Sequence, residues 1–410
     1  MLVYNFLLQL ANQIICLLSL WSPKLKRWHD GRKNLHARML EVIKSTDRVI
    51  WFHAASLGEF EEGRPLLEKV RTLFPGYKIL LTFFSPSGYE VRKNYDQADW
   101  VFYLPLDTPK NVARFLTAAH PEMAIFIKYE FWFNFLAALK ARRVRTFVIS
   151  ARFIANSRFF KWYGRPFRNS LKAFETIFVQ DLNSVKLLSA IGVNNVMHAG
   201  DPRFDRVAQL ASTPWKNDVV ELFKNNDKLF VAGSTCGASD DDLMIDFINK
   251  HPRIRFVVVP HDLHPEPIHK YLNGVIGGAV LYTECNENSE INNKQVLIYN
   301  TIGTLSLLYR YGNWAYIGGG FIAGVHSVIE ATVYGIPCAF GPNYKKNRPC
   351  VELIALNACA SVGGVDELTA WFAPLSADDD ALAKCSNSVF NYTNENTGAT
   401  NRIIQTVFRT

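Results

Sequence analysis

No two cysteines of this 410-residue chain stand in a CxxC spacing, and the seven that occur (Cys16, Cys236, Cys285, Cys338, Cys350, Cys359 and Cys385) are scattered and odd in number. That pattern argues against a zinc ribbon, a dithiol redox motif and a disulfide framework, and for a reduced compartment. Cys236, Cys338 and Cys359 lie in apolar or strand-like runs, where cysteine serves as a small buried hydrophobe. Low-complexity tracts and repeats of solenoid period are also missing. So are helix-turn-helix, zinc-finger and RNA-binding signatures, so nucleic acid is not an expected partner. With 49% hydrophobic and 20% charged residues, disorder is expected at most at the ends.

Acidic residues are absent over a long stretch. Between Phe131 and Phe174 stand Lys140, Arg142, Arg143, Arg145, Arg152, Arg158, Lys161, Arg165, Arg168 and Lys172, without one Asp or Glu, in a chain of net charge +8. A solvated basic face is the plain reading. So long a run without counter-charge favours phosphates or anionic lipid heads.

The apolar run Leu2–Trp21 lacks a preceding basic residue and a small-residue cleavage site, which argues against a secretory signal. About 20 apolar residues just cross a bilayer, but Asn5, Gln9, Asn12 and Gln13 recur on one helical face, and four amides in hydrocarbon are costly. An interfacial helix is therefore expected. Lys24, Lys26, Arg27, Arg32 and Lys33 follow it and would meet anionic lipid heads on the cytoplasmic side of the membrane. A helix packed on the protein's own core is the alternative, and the two readings can coexist.

From Val49 onward short apolar runs alternate with helical patterns, the mark of βαβ units and parallel sheets. Strands are expected at Val49–Ala54, Lys78–Phe84, Trp100–Leu104, Met123–Ile127, Arg145–Ile149, Thr176–Val179 and Asn195–His198. A second series covers Leu229–Ala232, Arg255–Val259, Val280–Tyr282, Gln295–Tyr299, Trp314–Ile317, Pro337–Phe340 and Ala360–Val362. The polar segment Ala211–Asp218 breaks the rhythm. The expected division is a helix and basic segment over 1–35, domains over 36–211 and 219–377, and closing helices over 378–410. Two Rossmann-like domains facing a central cleft would place ligands beyond the carboxyl ends of the strands.

The motifs fall there. His53-Ala54-Ala55-Ser56-Leu57-Gly58-Glu59 follows the first strand, and Glu59 is either a helix-dipole acid or a general base. Ser85-Pro86-Ser87-Gly88 follows the second; an ordinary capped turn competes with a phosphate or hydroxyl receptor. Gly233-Ser234-Thr235 opens the second series and suits a nucleotide phosphate. Asp240, Asp241 and Asp242 begin a helix; consecutive side chains diverge, so they are read as dipole compensation rather than a metal site. Gly318-Gly319-Gly320-Phe321-Ile322-Ala323-Gly324-Val325-His326-Ser327-Val328-Ile329-Glu330 runs from strand through a Gly-rich loop into a helix, where an anion is favoured. It has neither the dinucleotide fingerprint nor a P-loop lysine. Glu330 there suits a ribose diol, with a surface ion pair as the alternative.

Together these segments resemble the 3-deoxy-D-manno-octulosonic acid (Kdo) transferases, over nearly the whole chain and in order. Further segments carry the resemblance: Tyr103-Leu104-Pro105-Leu106-Asp107, Tyr129-Glu130-Phe131-Trp132, Ser150-Ala151-Arg152, Ala199-Gly200-Asp201-Pro202-Arg203-Phe204-Asp205, His264-Pro265-Glu266, Gly303 to Tyr309 and Phe340-Gly341-Pro342. The resemblance implies a GT-B glycosyltransferase of the inner membrane. It would transfer Kdo from CMP-Kdo to a lipid A precursor with inversion, without metal or other cofactor, and with Glu59 as general base. It implies acceptor binding by Ser56, Gly58, Ser85, Ser87, Gly88, Glu130 and Arg152. Donor binding would fall to Arg203, Gly233, Ser234, Thr235, His264, Pro265, Gly303, Thr304, Gly319, Gly320, His326, Ser327 and Glu330. This chain departs from the family pattern at Lys128, where relatives carry an acid, at Thr304 for Glu, at Ser327 for Asn, and in lacking arginines beside His264. The rival readings are a GT-B enzyme using a UDP-sugar on another envelope glycolipid, and a non-catalytic nucleotide- or lipid-binding module.

Overall fold

In a computed structural model, which describes residues 2–286 and 291–409, the chain forms two compact units. Met1 and Thr410, at the ends of the expected terminal segments, lie outside the described residues. The first unit holds β1 (Val49–Ala54), β2 (Lys78–Phe83), β3 (Trp100–Tyr103), β4 (Met123–Ile127), β5 (Arg145–Ala151), β6 (Thr176–Val179) and β7 (Val196–His198). The second holds β8 (Leu229–Thr235), β9 (Arg255–Pro260), β10 (Ala279–Leu281), β11 (Val296–Ile298), β12 (Trp314–Ile317), β13 (Cys338–Phe340) and β14 (Cys359–Ser361). Each set makes one parallel sheet, ordered β3-β2-β1-β4-β5-β6-β7 and β10-β11-β9-β8-β12-β13-β14.

These runs are continuous rather than alternating because both faces of each sheet are covered. In the first unit Trp51, Leu80, Ala124, Phe126 and Val148 pack with Phe115 and Phe135 on one face. On the other, Ile50, Phe52, Leu81 and Phe147 pack with Phe60 and Leu66, and with Ile403, Ile404 and Val407 of the last helix. That helix, Ala399–Phe408, belongs to the first unit, which comprises Met1–Arg206 and Thr397–Thr410; the second is Val207–Asn396. The sequence reading groups 378–410 together and ends the first domain at 211. The structure instead changes units within the helix Pro202–Ser212 and again at Thr397. The physical cause is the apolar face of Ala399–Phe408, which completes the first core. Asp205 fixes its start by accepting from the backbone N–H of Gly398 (2.5 Å) and Thr400 (2.6 Å).

Six helices of the first unit bear on function: α1 (Leu2–Leu18), α2 (Pro23–Asp30), α3 (Leu35–Val42), α4 (Leu57–Leu73), α5 (Pro86–Arg92) and α6 (Pro109–Ala119). One side of α1 rests on the unit. The Tyr4 hydroxyl donates to Asp107 Oδ2 (2.8 Å), the Tyr4 ring meets Phe133 edge-on, and Asn134 Nδ2 donates to Asn5 Oδ1 (2.8 Å). The opposite side exposes Val3, Phe6, Leu7, Leu10, Ile14 and Leu17, spaced at three and four residues as one helical stripe. Among the described residues no helix is long and apolar enough to cross a membrane.

Candidate active site and nucleotide site

In each sheet the first strand has its sequence successor on one side and a later strand on the other, so the connections diverge there. Such a switch point opens a crevice at the strands' carboxyl ends. In the first unit it lies between β1 and β4; in the second, between β8 and β12.

The turn after β1 passes through Ser56 into α4, which places Glu59 in the first helical turn. Glu59 is half-buried, and the Ser56 hydroxyl donates to its Oε2 at 3.0 Å. Gly58 is exposed, with open space where a side chain would start. The turn after β2 lies alongside, because the Ser85 backbone N–H donates to the Ala55 carbonyl (2.7 Å). Ser85 caps α5 through its Oγ, which accepts from Ser87 N (3.3 Å) and shares a hydrogen bond with Ser87 Oγ (3.0 Å). Gly88 is buried; a Cβ there would lie 2.2 Å from the Phe83 ring, so its role is packing.

The loop after β4 brings two carboxylate assemblies to the same end. Glu130 is buried, and its Oε2 meets His53 Nε2 (3.0 Å) and accepts from Trp132 Nε1 (2.6 Å). His53 is anchored on its other side by Thr82 Oγ1 (2.9 Å). In this arrangement Glu130 braces the loop beside the candidate base. Lys128, in left-handed backbone (φ 71°), sends its ammonium to Glu62 Oε1 at 2.6 Å. Glu62 lies on α4 three residues beyond Glu59, and its second oxygen accepts from Gln180 (3.2 Å). Burial pushes the Glu62 carboxyl above its usual range, against the pull of Arg203 and Lys128. Arg152 pairs with Asp181 (3.4 Å). Arg203 pairs with Asp201 (2.7 Å) and falls in the first unit, whereas the other candidate donor residues fall in the second.

In the second unit the loops after β8 and β12 are pressed together. Gly318 N donates to the Gly233 carbonyl (2.9 Å), and a Cβ on Gly318 would lie 2.0 Å from the Ser234 carbonyl oxygen. Ser234 itself is left-handed (φ 54°) and Thr235 is buried. Gly233 leaves room for the Tyr309 hydroxyl, and Gly320 for the backbone at Gly341. Gly319 (φ 89°) donates its N–H to Asp240 Oδ2 (2.7 Å). His326 stacks on His261, with centroids 4.6 Å apart and planes 21° from parallel. Burial first, and the neighbouring His261 second, hold the His326 imidazole below its usual pKa. Ser327 is half-buried in the same loop, and Glu330 stands in a short helix, Ile329–Thr332, near enough to Tyr309 to raise that phenol beyond the effect of burial. His264 and Pro265 are exposed at the start of the helix Pro265–Gly274. Gly303 (φ 97°) precedes Thr304, whose hydroxyl donates to the Tyr299 hydroxyl (3.2 Å). Among the described residues no three His, Cys, Asp or Glu side chains converge to hold a metal ion.

Residues 27–206 match the family model described as 3-deoxy-D-manno-octulosonic-acid transferase (kdotransferase). Among proteins carrying the name 3-deoxy-D-manno-octulosonic acid transferase, that of Haemophilus influenzae is 24% identical over 98% of this chain and 96% of its own. That of Rickettsia typhi is 25% identical over 76% and 68%, respectively. The chain is thus similar to the Kdo transferases over residues 27–206 by the family model, and over most of its length by these relatives. Solved structures show the fold: UDP-GlcNAc 2-epimerase of Neisseria meningitidis superposes with a TM-score of 0.60 at 14% identity, covering 88% of this chain and 100% of its own. A glycosyltransferase of kitacinnamycin gives 0.54 at 10%, covering 89% and 99%. The fold of this chain is therefore GT-B, two parallel α/β domains in series.

Asp240 is the residue that sequence reading misjudged. It is fully buried and accepts from Cys236 N (2.9 Å), Gly319 N (2.7 Å) and the Tyr316 hydroxyl (2.6 Å). It is thus the tie between the β8 turn and the Gly-rich loop. Asp241 is likewise buried, accepting from Tyr271 (3.0 Å); only Asp242 is at the surface, paired with Lys270 (2.7 Å). The available signal was the four-residue spacing from Cys236, which lets Asp240 reach back to the helix start. Its partner Gly319 is 79 residues away and left no local trace.

Proposed function

We propose that this protein transfers Kdo from CMP-Kdo to a hydroxyl of a lipid A precursor at the cytoplasmic face of the inner membrane, with inversion and without a metal cofactor. One observation carries the reading: a half-buried carboxylate, Glu59, at the β1 switch point, bonded by a single serine and set beside the small-residue turn Ser85–Ser87. Similarity to proteins named Kdo transferases supports the donor class.

In this mechanism the acceptor hydroxyl donates its proton to Glu59 as its oxygen attacks the anomeric carbon of Kdo. The bond from that carbon to the cytidylate phosphate oxygen breaks, and CMP leaves as an anion. Because bond-breaking runs ahead of bond-making at an oxocarbenium-like centre, aligning the acceptor and removing its proton on time are the main tasks of the protein. The Gly-rich loop, pressed against the turn after β8 and with His326 in it, would hold the cytidylate anion; Glu330 would accept from the ribose diol.

Two features support membrane association. The outward stripe of α1 exposes Phe6 (65%) and Leu17 (59%), and the loop before the helix Arg165–Leu171 exposes Ile154, Trp162 (91%) and Tyr163 next to Arg158 and Arg165. Apolar and aromatic side chains flanked by cations suit an anionic interface.

The direct test incubates purified protein with CMP-Kdo and a lipid A precursor and reads the products by mass, with UDP-sugars in parallel. A product heavier by one or more Kdo residues is expected. Transfer from a UDP-sugar instead would replace the donor assignment. For the membrane part, Leu10→Asn together with Leu17→Asn should release the protein from vesicles with little change in melting temperature; unchanged pelleting would remove α1 from that role.

A further inference from the structure

A cavity of about 570 Å³ lies within the first unit, walled by α2, α3, the segment at Pro105–Leu106 and α6, with Asn12 of α1 at its edge. Its volume is in the range of small-ligand sites. His29, Arg32, Lys33, His36 and Arg114 line it, and no carboxylate does. The Asp30 carboxylate nearby is drawn to Lys33 at the surface (2.7 Å).

Arg32 is the informative member. Its guanidinium is largely buried, lies 3.7 Å from the Trp28 ring centre, and donates only to carbonyls: Leu104 (2.8 Å), Trp28 (2.7 Å) and Phe84 (2.7 Å). Burial brings it down to about 9, with the Tyr103 hydroxyl pulling the other way. A cation taken out of water without a counter-anion is costly, and here it faces a cavity whose other charged groups are also basic.

The cavity lies beside α1 at Asn12, which stands two turns from Asn5 on the side of the helix that rests on the unit, across from the apolar stripe of Phe6, Leu10 and Leu17. With that stripe in hydrocarbon, the unit-facing side of α1 sits at headgroup depth. We propose that the cavity seats the phosphate headgroup of an anionic phospholipid, whose acyl chains pass α1 into the hydrocarbon that holds its apolar stripe. The site is distinct from the Glu59 turn. It rests on the membrane reading of α1 for its orientation, though not for the cavity itself.

The test uses the full chain and two probes. Soluble short-chain phosphatidylglycerol, below its micellar concentration, is titrated against melting temperature, with inorganic phosphate in parallel. Flotation compares phosphatidylcholine vesicles with vesicles that also contain phosphatidylglycerol. Lys33→Gln and Arg114→Gln, singly and together, remove cavity cations; Lys24→Gln removes an exposed basic residue outside it. The expected result is saturable stabilisation by the soluble lipid, weakened roughly five-fold for each cavity cation removed and unchanged in Lys24→Gln. Binding to pure phosphatidylcholine vesicles should be the same in all variants. Equal stabilisation by inorganic phosphate would overturn the lipid assignment. Absence of saturation, or equal losses in Arg114→Gln and Lys24→Gln, would overturn the site. If the wild type floats on no vesicle while the soluble lipid still saturates, the membrane reading falls and the cavity assignment stands.

Discussion

Replacing Glu59 by Gln separates two roles that its position allows. The side chain is half-buried and makes one hydrogen bond, from the Ser56 hydroxyl at 3.0 Å. Gln keeps the shape and an oxygen to accept that bond. What it loses is the charge at the helix start, worth about 0.3–1 kcal/mol of stability. A general base contributes about 10²–10⁴ to rate, equal to about 2.7–5.4 kcal/mol of barrier. The chemical effect is thus several times the structural one. Turnover of CMP-Kdo, donor binding by calorimetry and melting temperature are measured on one preparation. The expected outcome is kcat reduced by about two to four decades, with donor affinity unchanged and a small shift in melting temperature. Near wild-type kcat with a lowered melting temperature would refute the assignment and leave Glu59 as a helix-dipole acid.

Lys128→Met should cost about 3 kcal/mol, at the lower end for breaking a buried pair because Lys128 itself is partly exposed. Adding Glu62→Gln should recover much of that loss, as chemical denaturation of the set would show; additive losses would refute the pairing. Gly318→Ala sets a Cβ against the Ser234 carbonyl. It should raise KM for CMP-Kdo by displacing the β8 turn and destabilise by about 1–3 kcal/mol, and wild-type KM and melting temperature would refute the close approach. Burial pushes the Asp107 carboxyl from 3.8 up to about 6, against hydrogen bonds from Asn134 N, the Tyr4 hydroxyl and Phe135 N. The folded state therefore holds this proton more tightly than the unfolded state. Its stabilising contribution is complete below pH 3.8 and is lost as pH rises through about 6. The stability advantage of wild type over Asp107→Asn should narrow by up to ~3 kcal/mol across that window; a gap independent of pH would refute the shift.

By itself the sequence determined every strand of both sheets, because parallel strands buried on two faces must be continuous apolar runs ended by turn residues. It also placed Glu59, the Ser85 turn and the Gly-rich loop at strand ends, since a strand followed by a glycine or capping turn is a local pattern. Helix lengths near the second site were less legible: the Gly-rich loop reads as running into a helix, yet only the four residues Ile329–Thr332 form one, because the backbone N–H groups of Gly324 and His326 bond back to Gly319 and Gly318. Tertiary structure alone decided which strands are neighbours, and so where the crevices open. It decided that Asp240 ties two loops, that Glu130 is buried against His53, and that Ala399–Phe408 completes the first core. It alone assembled the basic cavity beside α1 and set Tyr4 on Asp107 across 103 residues. Each of these depends on partners far apart in the chain, and polar residues that meet only on folding have no periodicity by which to announce the contact.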